Sequence, residues 1–409
     1  MDKSEALIEL NEYERIAKVD KNADFYTGKP EICIPAMSNE NIKAIKKCKY
    51  RDIDELKKYY LLIMEDGGKN LTIFADSIYD YLSRGNINID SKEYHELQEI
   101  MYKFWEECIR LFLGLHIFLK NGLVHHDIKP QNILYDIDRN RLNYIDFGLM
   151  TTIKEIKETS FSSHNHNAMI HWSFPPEMPY TNKLEYTKLA KMNRKNKIKT
   201  FDRFIKDMAD SESKINYFFK NTVIDYYKKH ESETIIQHMK EYYDLLFKVI
   251  VPNKYNKFLE SVIDTIDSYG LGVSLLYVLN KTYTLIDPFY AVELRKIFSN
   301  MVNFNVMKRK SIETLIEEYK TIIKLRKSPN SFQSSENGKP KEFIEEKLES
   351  IKIENANISN KKLDDDPTPV CPKMYKYDEN LKRCVKTLSV KSKSKSKSKS
   401  KSITRKRIH

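Results

Sequence analysis

The chain has 409 residues, of which 41% are hydrophobic and 11% aromatic, enough to form a sizeable core in two or three structural units. This composition excludes a wholly disordered protein. The net charge of +12 comes mostly from the tail, because residues 385–409 carry ten Lys or Arg and no acid, which leaves about +2 for the rest. A strongly basic, nucleic-acid-binding body is therefore not expected.

No run of 18 or more apolar residues occurs, and the first twenty residues are too acidic for a secretory or transit peptide. We therefore expect an intracellular protein without a transmembrane segment. Three of the five cysteines, Cys33, Cys48 and Cys108, show no metal-ligand spacing, so they are expected to be reduced and structural.

The first predicted element is an amphipathic helix over residues 4–19, where apolar side chains recur at helical spacing among Glu and Lys. The apolar run over residues 59–65 predicts a short buried strand. Asp66-Gly67-Gly68 follows that run directly and predicts the turn that ends the strand.

A long core helix is predicted over residues 92–121, because apolar and aromatic residues recur there at intervals of three and four. Two short strands are expected at 133–135 and 142–145. The Lys-rich stretch over 185–265 shows helical phasing without a chemical motif, and another apolar helix is expected at about 269–279.

Beyond Lys327 the composition changes to Ser, Asn, Lys, Glu and Pro, with too little apolar surface to offset the entropy of ordering. Residues 327–369 are therefore expected to be a disordered linker. The tail over 387–409 contains an uninterrupted Lys-Ser repeat, which predicts disorder and weak binding of polyanions such as nucleic acid or acidic protein.

Polar residues at 125–132, and a turn that begins fourteen residues after Asn132, form a set that suits phosphoryl transfer. This chemistry needs in-line positioning and cancellation of phosphate charge rather than a covalent role for the protein. Asp127 is suited to accept or orient a substrate hydroxyl proton, and Lys129 to neutralise the moving phosphoryl group. Oxygen ligands of the kind that Mg²⁺ prefers come from Asn132 and Asp146.

These residues resemble the catalytic loop and the metal-binding Asp-Phe-Gly of eukaryotic-type protein kinases. Further segments are similar to motifs of that family, in the same order. They are 59–71 (fifth strand and hinge), 175–177 (end of the activation segment) and 267–272 (start of the helix whose Asp braces the catalytic loop). In the family Glu177 would have a buried partner, and Arg309 falls at that position.

The resemblance implies an α+β, bilobal protein-kinase-like fold. A reduced N-lobe would occupy residues 1–66, and a mainly helical C-lobe would occupy 67–326 with a helical insertion at about 181–262. The implied cofactors are ATP and Mg²⁺, and the implied partners are protein substrates. Lys129 favours Ser or Thr hydroxyls, because tyrosine kinases of the family usually have Ala or Arg there.

In the hinge that the resemblance implies, Met64 gates the adenine pocket. The backbone that faces the purine would come from Glu65, Asp66 and Gly67. His125 is expected to pack against Phe147, and His126 replaces an Arg that many kinases use to grip a phosphorylated activation loop. Strict activation by phosphorylation is therefore not expected.

Two N-lobe parts of that family are harder to place, namely a glycine-rich loop and a strand lysine paired with a helix glutamate. The first glycine is Gly28. Glu12, followed by Ile16, resembles the helix glutamate. Only eleven residues precede Glu12, which is too few for the three strands of ~5 residues each that the family places before this helix. In the competing alignment Ile16-Ala17-Lys18 is the strand lysine motif, but the periodicity around Lys18 favours a helix.

Three explanations for the reduced lobe are left open. The coding sequence starts upstream of Met1, or the lobe is divergent, or the chain is a pseudokinase that binds partners through its large lobe. The intact Asp127, Lys129, Asn132 and Asp146 favour an enzyme.

Residues 370–386 contain Cys371 and Cys384 and resemble a short two-cysteine adaptor module near the ends of several proteins, including kinases, of large nucleocytoplasmic DNA viruses. A disulfide across this loop and a reduced, disordered pair remain alternatives. A viral origin would place the protein in the host cytoplasm or the virion.

Overall fold

The computed structural model describes residues 3–34, 36, 38–46, 59–83, 91–161, 171–223, 228–326, 375–378 and 383–386. The chain divides into two compact units, Met1–Ser331 and Phe332–His409. The first unit is mostly helical with few strands in its described part.

The helices of the first unit range from the seven-residue α6 to the 28-residue α11. They are α1 Lys3–Val19, α2 Asn39–Lys46, α3 Leu71–Ser83, α4 Lys92–Glu107, α5 Ile109–Lys120, α6 Ile153–Thr159, α7 Lys183–Lys191, α8 Arg194–Ala209, α9 Lys214–Thr222, α10 Lys228–Asp244, α11 Tyr255–Thr282, α12 Pro288–Met301 and α13 Ile312–Arg326. One turn of π-helix, Leu245–Val249, follows α10.

The strands are short and pair in small antiparallel sheets. They are β1 Glu31–Cys33, β2 Leu61–Ile63, β3 Lys69–Asn70, β4 Leu123–Val124, β5 Ile133–Asp136, β6 Arg141–Tyr144 and β7 Thr151–Thr152. β3, β5 and β6 form a three-stranded sheet in that order, while β1 pairs with β2 and β4 with β7.

Helix α11 lies at the centre of the first unit, packed against α3, α5 and α12. The stretch Tyr255–Leu285 is long and apolar enough to span a membrane by length and composition, but 89% of its most apolar window is buried inside the fold. Gly270 lets α11 approach the loop before β5, because a Cβ there would lie 2.4 Å from the backbone oxygen of Ile128.

Several predicted elements are confirmed. The opening helix is α1, the two short strands are β5 and β6, and the described residues of the Lys-rich stretch include α7, α8, α9, α10 and the start of α11. Cys33 and Cys108 are free thiols, as expected, and Cys48 lies outside the described residues.

Two predictions were wrong in detail. The helix expected over 92–121 is divided at Cys108 into α4 and α5, since Leu111 N bonds the Cys108 oxygen three residues back rather than four. The strand expected over 59–65 is present as β2, but Leu61 and Ile63 are exposed, because within the described part of the chain β2 pairs with β1 alone.

In the second unit, the described residues form one antiparallel hairpin of β8 Tyr375–Asp378 and β9 Arg383–Lys386, in which Cys384 lies opposite Tyr377. Cys371, the predicted linker over 327–369 and the Lys-Ser tail over 387–409 lie outside the described residues. The pairing of the two cysteines stays a prediction.

Candidate active site

The loop between β4 and β5 holds three of the predicted site residues in direct contact. The Asp127 carboxylate accepts hydrogen bonds from Lys129 Nζ at 2.7 Å and from Asn132 Nδ2 at 2.9 Å. Asn132 Nδ2 also donates to the Asp127 backbone oxygen at 2.9 Å. A 3₁₀ turn, Pro130–Asn132, makes this contact local, because it brings the side chain at 132 back toward 127.

Asp146 lies next to this group across the sheet. Ile133 and Tyr144 are paired in β5 and β6, and Ile145 N donates to the Asn132 oxygen at 3.1 Å. The ladder therefore brings Asp146 beside Asn132 as β6 ends. Asp146 has a φ of 62°, in the left-handed region that few non-glycine residues adopt, and its side chain is exposed.

Asp267 is half-buried in α11, and its carboxylate holds the start of the loop. It accepts hydrogen bonds from the backbone N–H of His125 at 2.7 Å and of His126 at 2.8 Å. Burial raises the pKa of Asp267, against the lowering effect of His125 and these two bonds. His126 has a φ of 66°, so Asp267 holds a strained backbone turn directly before Asp127. This confirms the bracing role that the motif at 267–272 predicts.

Phe147, directly after Asp146, is fully buried and surrounded by rings. The His125 ring lies 4.9 Å from it between centroids, as predicted, and the Tyr13 ring meets it edge to face at 5.1 Å. Helix α1 thus packs directly on the turn that carries Asp146.

The predicted hinge residues lie between β2 and β3. The Tyr13 hydroxyl donates to Met64 Sδ at 3.4 Å, which joins this segment to α1. Glu65 and Asp66 are exposed, and Glu65 forms an ion pair with Arg139.

Two glycines let the hinge segment lie against β5. Gly67 is buried, and a Cβ there would lie 2.7 Å from Leu134 Cδ1. Gly68 has a φ of 88°, and a Cβ there would lie 2.3 Å from the backbone oxygen of Tyr135. Asp66 Oδ1 accepts a hydrogen bond from Gly68 N at 2.9 Å and closes the turn.

The two N-lobe candidates Glu12 and Lys18 lie in the same helix but in different environments. Glu12 is buried in α1 and forms an ion pair with Arg15 at 3.3 Å; burial raises its pKa, and Arg15 opposes that effect. Lys18 lies in the last turn of the same helix with an exposed side chain. The strand alternative for residues 16–18 is wrong, because α1 continues through them to Val19.

Sequence reasoning missed the contacts that Arg15 makes. Its two guanidinium nitrogens Nη1 and Nη2 each lie 3.4 Å from a carboxylate oxygen of Glu155 in α6. Glu155 also accepts from Thr152 N at 2.8 Å, in a capping box that begins α6. The Thr-x-x-Glu spacing signals the cap in the sequence, whereas nothing in the sequence signals the partner in α1.

The predicted pair of Glu177 and Arg309 is confirmed. Arg309 Nη1 lies 2.5 Å from Glu177 Oε1 and Nη2 lies 3.0 Å from Oε2, and both side chains are fully buried. The pair joins the end of the activation-segment-like region to the segment before α13.

The amide of Asn132 and the carboxylate of Asp146 fit a magnesium ion. Asn132 uses its Nδ2 hydrogens on Asp127, so its carbonyl oxygen is the atom available to a cation. Mg²⁺ usually takes one or two protein oxygens together with phosphates and water. Within the described residues there is no group of three or more His, Cys, Asp or Glu that could hold a metal ion, so an all-protein metal cage is not found there.

Comparison with known proteins agrees with this geometry. Residues 34–192 match the family model described as protein kinase domain. The match includes the loop at 125–132 and the turn at 146–148, and it leaves α1 and α11 outside.

Three relatives are kinases. The chain is 30% identical over 151 residues to serine/threonine-protein kinase PKH2 of Candida albicans (34% of this chain and 15% of the relative). It is 29% identical over 151 residues to cyclin-dependent kinase C-3 of Oryza sativa subsp. japonica (35% and 43%). It is also 29% identical over 153 residues to casein kinase II subunit alpha' of Saccharomyces cerevisiae (34% and 42%).

The chain spans less than half the length of each of these three relatives. Together with the domain match, the similarities support a domain of the eukaryotic-type protein kinase superfamily in this chain.

Proposed function

We propose that this chain is a Mg²⁺-dependent protein kinase that transfers the γ-phosphate of ATP to Ser or Thr hydroxyls of proteins. One observation carries the proposal. Asp127 is held by Lys129 and Asn132 through side-chain hydrogen bonds of 2.7 and 2.9 Å, with Asp146 adjacent across the β5–β6 ladder. An acidic group fixed beside a cation and two oxygen ligands is the set that phosphoryl transfer needs.

Each residue has a distinct part in this proposal. Asp127 orients the attacking hydroxyl and accepts its proton, while Lys129 stabilises the charge that develops on the moving phosphoryl group. Asn132 and Asp146 would hold Mg²⁺, which when bound neutralises the phosphate charge. The backbone at Glu65, Asp66 and Gly67 would face the purine, with Met64 at the gate.

The substrate class and the lobe arrangement belong to the proposal. Lys129 supports Ser or Thr over Tyr, and so does the name of the Candida albicans relative, a serine/threonine-protein kinase. In the proposed bilobal arrangement residues 1–66 contribute a reduced N-lobe and residues 67–326 the C-lobe. The Lys-Ser tail at 387–409 would bind polyanions weakly.

A pseudokinase scaffold is the second candidate, and one observation favours it. Glu12 of α1 forms its ion pair with Arg15 of the same helix, whereas the resembling family pairs this glutamate with a strand lysine that contacts the phosphates. A chain held in this state would bind protein partners through its large lobe without transferring phosphate.

The two candidates differ in phosphotransfer by the purified full chain. The assay would follow labelled phosphate from Mg-ATP to a generic protein substrate, for wild type, Asp127→Asn and Asp146→Asn. Asp138→Asn is the matched control, because Asp138 lies exposed in the turn between β5 and β6. We expect wild type and the control to transfer, and the two site variants to lose roughly 10² to 10⁴ in rate. Transfer by wild type no faster than by the site variants would reject the kinase and favour the scaffold.

A further inference from the structure

A cavity of about 840 Å³ lies in the helical stretch between Glu177 and Asp267, to which the proposed function assigns no role. Its walls come from α7, from the chain that follows α10 and from the first turn of α11, with Met307 added from the segment before α13. It is of the size that small-molecule sites occupy, roughly 300 to 1,000 Å³.

The charge of the cavity wall has one sign. Five lysines line the cavity, and none of its lining residues, all within the described part of the chain, is acidic. They are Lys183, Lys191, Lys248, Lys254 and Lys257. Asp244, outside the lining, forms an ion pair with Lys248 at 2.6 Å. Four positive charges therefore remain to be balanced, which favours an anionic occupant.

The start of α11 adds to this charge. Its N-cap residue, Lys254, makes no side-chain capping bond, and the first turn of the helix contains no acid. Phe258 N donates to the Lys254 oxygen at 3.0 Å as the first intrahelical bond, so the N–H groups of residues 255–257 precede the helical ladder. The positive end of a 28-residue helix thus faces the same cavity as the lysines.

Aromatic residues hold the walls in place, and two of them, Tyr186 and Tyr255, are buried. The rings of Tyr186 and Tyr255 meet at 5.1 Å between centroids, and the Tyr186 hydroxyl donates to the Val251 oxygen at 2.9 Å. Lys183 Nζ lies 4.5 Å from the centre of the Phe161 ring and 5.5 Å from that of Tyr255. Lys183 is thus held against aromatic rings, while the side chains of the other four lysines of the wall are exposed.

We propose that this cavity binds a small anion that carries two or more phosphate groups. Several compact ammonium groups around a concave space suit tetrahedral phosphates, whereas planar carboxylates are better matched by the fork of Arg, and no Arg lines the cavity. The site is separate from Asp127 and Asp146, and it stands whether the chain is a kinase or a scaffold.

Titration calorimetry of the full chain with inorganic tripolyphosphate tests the site. The cavity variant Lys191→Gln/Lys254→Gln/Lys257→Gln removes three exposed charges. The control variant Lys195→Gln/Lys199→Gln/Lys206→Gln removes three exposed charges from α8, none of which lines the cavity. Binding to the tail or to the candidate active site is common to all three proteins and does not affect their comparison.

We expect the cavity variant to lose one binding event, or to bind on the order of tenfold more weakly, while the control variant binds like wild type. Equal binding by the three proteins, or no binding by wild type, would overturn the proposal.

Lysine acetylation read by mass spectrometry gives a second readout that needs no variant. Tripolyphosphate should protect Lys191, Lys254 and Lys257 from a soluble acetylating reagent and leave Lys195 and Lys199 as reactive as before. Equal protection of both sets would show general charge screening and overturn the proposal.

Discussion

The hydroxyl of Tyr13 donates a hydrogen bond to the sulfur of Met64 at 3.4 Å, while the Tyr13 ring packs edge to face on Phe147. One buried side chain of α1 therefore contacts both the segment proposed to gate the adenine pocket and the turn that carries Asp146. Burial raises the pKa of Tyr13, so the phenol stays protonated and keeps its hydrogen to donate.

Tyr13→Phe should keep the ring packing and lose the hydroxyl contact. The expected cost is about 1 kcal/mol in the free energy of unfolding, measured by urea titration, because the hydroxyl loses its hydrogen bonds to Met64 Sδ and to the Asp146 backbone. If the proposed function holds, phosphotransfer should fall as well. Tyr81→Phe, on an exposed tyrosine of α3, is the control and should change neither quantity. A Tyr13 variant as stable and as active as this control would show that the hydroxyl contact contributes neither to stability nor to phosphotransfer.

Asp267→Asn should loosen the loop before Asp127. An asparagine offers one acceptor where the carboxylate accepts two backbone bonds, and its amide hydrogens would face the N–H of His125 or His126. We expect a loss of about 2 to 3 kcal/mol in stability, measured by urea unfolding. Asp264→Asn is the control on the same helix, since Asp264 is exposed, and its effect should stay within about 0.5 kcal/mol. Equal losses in the two variants would contradict the bracing role.

The parts of the fold that could be predicted from sequence depend on local signals or on ordered motifs. The periodicity of α1 and the short apolar runs of β5 and β6 are local patterns, so their elements formed where expected. The pair of Glu177 and Arg309 was predicted only because the motif order of a known family relates two positions 132 residues apart.

The parts that could not be predicted depend on tertiary packing. The run over 59–65 is apolar enough for a buried strand, yet its exposure depends on which neighbours cover it. The contact of Arg15 with Glu155 joins a helix to a cap 140 residues away. Likewise, the lysines of the cavity come from three separate segments, and each alone resembles an ordinary solvated face.

His126 should make stability depend on pH. Burial, together with the nearby His125, lowers the pKa of His126 to about 4, while Asp127 opposes the shift. The unfolded chain, with an ordinary His pKa near 6.5, binds more protons between these values, so stability falls as pH drops from about 6.5 to about 4. Between pH 7 and pH 5 the expected loss from this residue is about 2 kcal/mol.

His126→Asn isolates this effect, because asparagine tolerates the left-handed backbone at this position and does not titrate. Urea unfolding of both proteins at pH 7 and pH 5 measures the difference. Wild type should lose about 2 kcal/mol more than the variant over this range. Parallel losses would mean that His126 is not held neutral by the fold.

Removing one partner of the buried pair of Glu177 and Arg309 should lower the free energy of unfolding strongly, whereas replacing both partners should lower it much less. Glu177→Met leaves a buried guanidinium without its partner, and we expect a loss of about 3 to 5 kcal/mol in urea unfolding at pH 7. Arg309→Met should cost more, since Arg309 Nε also donates to the Asn303 oxygen at 2.8 Å. The double variant should lose far less than the sum of the two, because no charge remains buried.

Lys92→Gln, in the exposed pair with Glu96 at 3.1 Å, is the reference and should cost below about 1 kcal/mol. Additive losses at 177 and 309 would show that the two side chains are not coupled and that the pair does not fix the segment at 175–177 to the helical core.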